Sequence, residues 1–255
     1  MDPSDILLTD RVAIVTGAGQ GIGEGIAKGF ARFGAKIVVA EKNAETGERT
    51  AAAIRAAGGD ALSIPTDVRE FEQVKAMVDQ AVKHFGRLDI LVNNAATNPH
   101  FGPSYTADVG VWAKTLDTNV LGYLRMTQAA IPAMAAAGGG KIINMASVAG
   151  LNPMPGLGVY AVSKAAVIML TRVMAVELGH MNIQVNAIAP GVIKTRFSQM
   201  LWQTPEIASR VLQETPAGRI GEVEDVTGAA LYFASSSSNY TTGAVLVIDG
   251  GQTIT

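Results

Sequence analysis

The feature that most constrains this chain is a rhythm. Seven short aliphatic and β-branched runs are separated by longer stretches of helical period. The runs are residues 11–16 (RVAIVT), 36–41 (KIVVAE), 61–67 (ALSIPTD), 88–93 (LDILVN), 141–146 (KIINMA), 183–189 (IQVNAIA) and 244–249 (AVLVID). Most are nearly continuous apolar segments, the pattern of strands covered on both faces of a parallel sheet. Between them, residues 21–33, 44–57, 70–85, 111–137, 159–178 and 223–235 read as amphipathic or buried helices. Glycines close several of them, as in "RFGA" and "AAGGD". This alternation predicts an α/β fold: a doubly wound sheet of about seven parallel strands with helices on both faces. No Pro/Ser-rich linker, composition break or fixed-length repeat appears, so residues 1–255 read as a single domain. Two segments interrupt the rhythm, 98–110 and 191–219. Ligands of open α/β sheets lie beyond the carboxyl ends of the strands, so both are expected substrate walls, 191–219 above all.

The first strand runs directly into "TGAGQGIG", residues 16–23. A strand, a glycine turn and a helix in succession aim backbone N–H groups and a helix N-terminus at one point, where a pyrophosphate fits. The same glycines would also serve a tight turn with close helix–sheet packing. Gly17, Gly21 and Gly23 form G-x-x-x-G-x-G rather than the commoner G-x-G-x-x-G. Gln20 and Ile22 complete the turn. Glu41 ends the second strand, where an adenosine ribose would lie. A carboxylate there accepts from the ribose hydroxyls and repels a 2′-phosphate. NAD(H) is therefore favoured, and Lys42 next door leaves NADP(H) open.

Tyr160 and Lys164 lie four residues apart, on one helical face, and Ser147 ends the fifth run thirteen residues before Tyr160. A phenol is a poor base at neutral pH, and a neighbouring ammonium lowers its pKa. A serine hydroxyl beside them could hold a substrate oxygen. The set suits proton transfer coupled to hydride transfer.

Together these residues resemble the short-chain dehydrogenase/reductase family over roughly residues 8–251. The marks are "TGAGQGIG", "TDV" (66–68), "NNAA" (93–96), "TNV" (118–120), "MAS" (145–147), "YAVSK" (160–164), "APG" (189–191) and "DGG" (249–251). The resemblance implies a Rossmann fold and a catalytic set of Asn119, Ser147, Tyr160 and Lys164. Asn119 would anchor a relay water, Ser147 orient the substrate oxygen and Tyr160 act as acid/base. Lys164 would bind the nicotinamide ribose and depress the tyrosine pKa. It also places Asp67 and Val68 by the adenine, and Asn93 and Ala95 along the adenosine ribose. Pro190, Gly191 and Val192 would lie by the nicotinamide, with Thr195 near its carboxamide or a phosphate. Taken singly, Asn119 could be a capping or packing residue, Asp67 a turn former and Pro190-Gly191 a turn. The chain departs from the family at Ala96, where glycine is usual, and at Glu41, where many NAD-using members have aspartate. "NAATNPHFG" and "APGVIKTRFSQMLW" look like a branch of carbonyl and retinol reductases of the peroxisomal type. Those usually prefer NADP and often end in a peroxisomal signal; Glu41 and the tail "QTIT" match neither habit.

The expected activity is interconversion of a secondary alcohol and a ketone. Its pocket would be built by 97–101, 148–157 and 197–202, with Thr97, His100, Met154, Leu157, Met200 and Trp202 facing a hydrophobic or cyclic substrate. The same side chains would equally serve a core or a subunit contact. Two rivals are an NADPH-dependent 3-oxoacyl thioester reductase and a non-catalytic dinucleotide sensor. Composition excludes other classes. There are no cysteines, so no disulfides or thiolate metal sites, and the three histidines show no ligand spacing. A net charge of −2 without a basic block points to neither nucleic acid nor an anionic membrane. No apolar run looks long enough for a membrane span, and neither terminus carries an address, so the cytoplasm is expected. With 48% hydrophobic and only 16% charged residues, the surface suits subunit contacts, and the family resemblance implies a homotetramer.

Overall fold

The computed structural model describes residues 2–255. Seven strands form one sheet in the order β3-β2-β1-β4-β5-β6-β7, every pairing parallel. They are β1 (Val12–Thr16), β2 (Lys36–Glu41), β3 (Ala61–Pro65), β4 (Ile90–Asn93), β5 (Gly140–Met145), β6 (Ile183–Pro190) and β7 (Val245–Ile248). The expected doubly wound α/β sheet is therefore present, with strand ends moved by a residue or two.

Alternation along each strand explains why the apolar runs are nearly continuous. Ala13 and Val15 of β1 join the core on one face of the sheet, and Ile14 joins the core on the other. Ile37 and Val39 of β2 divide from Val38 and Ala40 in the same way. Both faces are covered, so both sets of side chains are apolar. One face packs against α1 (Gly21–Arg32), α2 (Ala44–Ala56) and α9 (Val223–Ala234), through Ile26, Phe30, Ile54 and Phe233. The other packs against α3 (Phe71–Phe85), α5 (Gly122–Ala136) and α6 (Gly158–Leu178), through Met77, Met126 and Leu178.

Three expectations need correcting. The helix expected over 111–137 is two helices, α4 (Val109–Leu116) and α5, joined by a π-helical turn, Asp117–Leu121. Such a turn inserts a residue into an otherwise regular helix, which helical periodicity does not reveal. The segment 191–219, to which the sequence pattern assigns no helix, holds α7 (Gln199–Gln203) and α8 (Pro205–Gln213). One segment does reach the length of a membrane span. Gly158–Met181 is 24 residues long and contains an 18-residue window of mean hydropathy 1.6, apolar enough by length and composition alone. Lys164 and Arg172 both fall inside that window, so the segment holds no charge-free run of that length. In the fold its Val167, Ile168 and Thr171 are buried.

Sequential strands run outward from β1 to β3, then the chain crosses back to place β4 on the other side of β1. That reversal opens a crevice at the carboxyl ends of β1 and β4. A cleft of 550 Å³ lies there.

Candidate active site

The cleft's first wall is backbone. At the end of β1, the Thr16 hydroxyl donates to the Val92 carbonyl (3.2 Å) and accepts from the N–H groups of Asn94 (2.9 Å) and Ala95 (3.1 Å). The Asn94 amide donates to the carbonyls of Thr16 (2.9 Å) and Gly17 (3.2 Å). These bonds lock the strand ends of β1 and β4 together. Gly17 then turns with φ of 61°, and a Cβ there would stand 2.9 Å from the Ala95 Cα. Only glycine meets both demands. Gln20 caps α1 without a side-chain hydrogen bond, so the helix begins with N–H donors open toward the cleft. This glycine cradle and open helix terminus fit a dinucleotide pyrophosphate.

Glu41 stands beside the cradle. Its carboxylate accepts from the N–H of Gly19 and the N–H of Asn43, each at 3.1 Å. Further out, Lys42 and Arg69 both pair with Asp67, at 2.7 and 2.6 Å. The Arg69 guanidinium is the main reason the Asp67 carboxyl lies well below the usual range; burial opposes it, and Lys42 adds to it.

The opposite end of the cleft gathers the polar side chains of α6. Ser147 follows β5 and caps a 3-10 turn, its Oγ accepting from the Ala149 N–H at 3.1 Å. Lys164 is 1% exposed. Its Nζ donates to the Met145 carbonyl (2.6 Å) and the Tyr123 hydroxyl (3.3 Å), and stands 5.5 Å from the centroid of the Tyr160 ring. It has no carboxylate partner among the described residues. Burial alone pushes this lysine down to about 7. Burial also pushes the Tyr160 phenol up to about 12, and the Ser147 hydroxyl pulls the other way.

Asn119 sits inside the π-helical turn, fully buried. Its Oδ1 accepts from the Thr97 N–H (2.8 Å), and its Nδ2 donates to the Thr97 carbonyl (3.0 Å) and the Ser163 hydroxyl (3.0 Å). Ser163 in turn donates to the Tyr160 carbonyl at 2.6 Å. The strand-4 loop, the π turn and α6 are thus tied into one polar chain. Tyr123 and Ser163 were not singled out from the sequence. Ser163 lies within "YAVSK", and a hydroxyl on a buried helix was the available signal.

Most of the expected site residues share this one cleft. Gly17, Gln20, Gly21, Ile22, Glu41, Asp67, Val68 and Ala95 line it toward the cradle. Thr97, Ser147, Met154, Leu157, Tyr160, Lys164, Pro190, Gly191, Val192, Thr195 and Met200 line the rest. Five do not. Gly23 is a packing residue, where a Cβ would meet the Asn94 Nδ2 and the Gly17 oxygen at 2.5 Å. Asn93, expected at the ribose, points into the sheet and donates to the Asn144 Oδ1 at 2.9 Å. Its neighbour Asn94 takes the cleft position instead. Asn119 stands behind the wall, as described. His100 turns to the Pro103 carbonyl at 3.2 Å. Trp202 donates to the Thr195 carbonyl at 3.1 Å and packs with Val192, Val211 and Ile220. The cleft also takes in Phe101, Phe197 and Leu201 from the walls expected at 97–101 and 197–202.

Comparison with known proteins fits this architecture. The family described as Enoyl-(Acyl carrier protein) reductase matches residues 17–253. The chain is 39% identical over 244 residues to Dehydrogenase/reductase SDR family member 4 of Oryctolagus cuniculus, covering 96% of this chain and 94% of that protein. The Homo sapiens protein of the same name is also 39% identical, over 96% of this chain and 88% of its own length. Among solved structures, a 7α-hydroxysteroid dehydrogenase complexed with NADH and 7-oxo glycochenodeoxycholic acid superposes with a TM-score of 0.94 at 35% identity, covering 98% of this chain and 97% of that one. A gluconate 5-dehydrogenase from Burkholderia cenocepacia J2315, with NADP and tartrate, gives 0.95 at 36% identity, covering 99% and 98%. The protein is an NAD(P)-dependent oxidoreductase. It belongs to the short-chain dehydrogenase/reductase family.

Proposed function

We propose that this protein interconverts a secondary alcohol and a ketone, with NAD(H) favoured and Tyr160 as the acid/base. The observation that carries the reading is the Tyr160–Lys164 pair: a phenol and a buried lysine amine with no carboxylate partner among the described residues, one helical turn apart in the cleft. Ser147, Tyr160 and Lys164 are its catalytic residues, and Asn119 is their positioning partner.

When bound, the nicotinamide cofactor supplies or accepts the hydride. Gly17, Gln20, Gly21 and Ile22 would hold its pyrophosphate, and Glu41 its adenosine ribose. In the reducing direction, the Tyr160 hydroxyl gives its proton to the substrate oxygen, while Ser147 donates a hydrogen bond to the charge developing there. A phenol pushed up to about 12 is protonated at neutral pH, the form a proton donor needs. In the oxidising direction Tyr160 must lose its proton first. Lys164, in its protonated form, and a positively charged nicotinamide would both favour that loss. The bond to the Met145 carbonyl holds Lys164 beside the ring.

The substrate is hydrophobic or cyclic. Phe101, Met154, Leu157, Phe197, Met200 and Leu201 give the far side of the cleft an apolar face. Phe197 and Met200 remain about half exposed, at 53% and 54%. Such a wall suits the bulk of the bile-acid ketone bound by the hydroxysteroid dehydrogenase better than tartrate. A homotetramer accords with Met169, Val173 and Val176, exposed apolar side chains at helical spacing along α6. Light scattering tests that assembly.

A paired screen tests the reading: initial rates with NADH and NADPH against aliphatic, cyclic, aromatic and steroid ketones. Turnover of apolar ketones, faster with NADH, is expected. Cofactor binding without turnover across the panel would reject the enzymatic reading. Turnover of 3-oxoacyl thioesters alone, with NADPH, would replace it.

A further inference from the structure

Resting on the alcohol/ketone reading, we propose that a second cavity behind the catalytic cleft is the other half of the substrate site. It would take the apolar tail of a long, neutral ketone or alcohol. The cavity measures 480 Å³ beside the 550 Å³ of the cleft. The cleft has to hold the dinucleotide as well as the reacting carbonyl, whereas the second cavity by itself lies in the range of an ordinary small-molecule site.

Continuity joins the two. Phe101, Val148, Met154, Leu157, Val192 and Leu201 line both. The partition is therefore made of apolar side chains. Met154 and Leu201 belong to it, and an unbranched thioether moves aside by bond rotation alone. The backbone around the partition is fixed: the Gly102 N–H donates to the Gly156 carbonyl at 2.9 Å, and a bridge joins Gly102 to Leu157. A tail can thus pass between side chains without unpinning the walls.

Beyond the partition, Ile207 and Val211 of α8 and Pro153 and Pro155 of the loop before α6 continue the apolar lining. Three charged residues stand there, Glu206, Arg210 and Glu214. Arg210 is engaged by Glu214 at 2.7 Å, so the lining offers no free cation to an anionic tail. Gln252 and Thr253 add neutral polar groups. The lining disfavours an anionic tail, and its apolar majority suits an uncharged one.

The test measures kcat/KM for 2-alkanones from butanone to 2-tetradecanone, with the wild type, Asn152→Trp and Ile207→Trp. Asn152 and Ile207 line the second cavity and not the cleft. In the wild type, efficiency should continue to climb with chain length beyond the span of the cleft, by up to about fourfold per added methylene. Both variants should stop that climb while leaving butanone within about twofold of wild type. Asn152 is exposed, so its variant remains informative if Ile207→Trp disturbs α8. A wild-type plateau at medium length, an unchanged climb in Asn152→Trp, or a preference for ω-carboxylate homologues would overturn the proposal. If no ketone of any length reacts, the activity reading fails and not this one. Calorimetry of the matching 2-alkanols on the NADH-loaded protein then decides it: affinity rising with length in the wild type but not in Asn152→Trp supports the second half-site, and equal slopes reject it.

Discussion

The nucleotide wall of the cleft and its substrate wall are built by different means. On the nucleotide side, side chains bond to backbone: Thr16 and Asn94 staple β1 to β4, and the Glu41 carboxylate holds Gly19. On the substrate side, the loop after β6 is fixed at its base, where the Lys194 N–H donates to the Gly221 carbonyl at 2.9 Å. Beyond that staple, the Ser198 hydroxyl and the Trp202 indole bond only within their own loop, and the rest is two short helices and partly exposed apolar side chains. The first wall specifies atoms; the second specifies only a surface of a given polarity. A cofactor shared by many reactions demands the first kind of wall, and a substrate that differs between relatives is served by the second.

The contrast can be broken at the cradle. Gly17→Ala adds a Cβ at 2.9 Å from the Ala95 backbone, on a residue with φ of 61°. It should raise the cofactor dissociation constant more than about tenfold and cost about 1–2 kcal/mol of stability, read by fluorescence titration and thermal melting. Glu41→Gln keeps the shape of the ribose site and removes its charge. NADPH affinity should then rise about tenfold relative to NADH, a coupling of about 1.4 kcal/mol, measured by paired titrations.

Lys164 links the two walls, and its titration gives a third test. Burial holds it near 7 in the fold, below its ordinary 10.5. Between those values the unfolded chain binds the proton and the folded one does not, so stability from this group rises with pH. Above 10 the raised Tyr160 works in the opposite sense, and Lys141, also lowered by burial to about 8, adds its slope equally to both proteins, so the two are compared across pH 7–10. Lys164→Met should flatten the rise of the melting free energy across that window, by at most about 1.4 kcal/mol per pH unit. Equal slopes for the two proteins would show that burial does not hold the lysine down. The smallest effect belongs to the apolar wall. Met200→Ala should raise KM for bulky ketones about threefold to tenfold, with cofactor affinity unmoved.

The same difference explains what could be read in advance. Strand runs, the glycine cradle and the Tyr160–Lys164 spacing were legible because backbone geometry prescribes residue type at those positions. Asn93 and Asn94 show the limit. Both are asparagines at a strand end, and only the ladder register, which pairs Asn93 with Asn144, decides which enters the sheet and which faces the cleft. Asn119 was legible as a position but not as a clamp on Thr97, because its placement depends on a π turn that no local pattern encodes. His100 and Trp202 lie in segments that reach the cleft, but neither side chain lines it. Their directions are set by bonds to Pro103 and Thr195, formed only after the loops fold. The second cavity had no signature, since α8, the loop before α6 and the C-terminal segment meet only in three dimensions.

The central claim is that Tyr160 moves the proton while the glycine wall holds the cofactor. Tyr160→Phe separates these roles. With a ketone identified by the paired screen, kcat should fall by about 10²–10⁴-fold while the NADH dissociation constant stays within about fivefold of wild type. A variant that keeps its turnover within about tenfold, or that loses cofactor binding together with activity, would contradict the account.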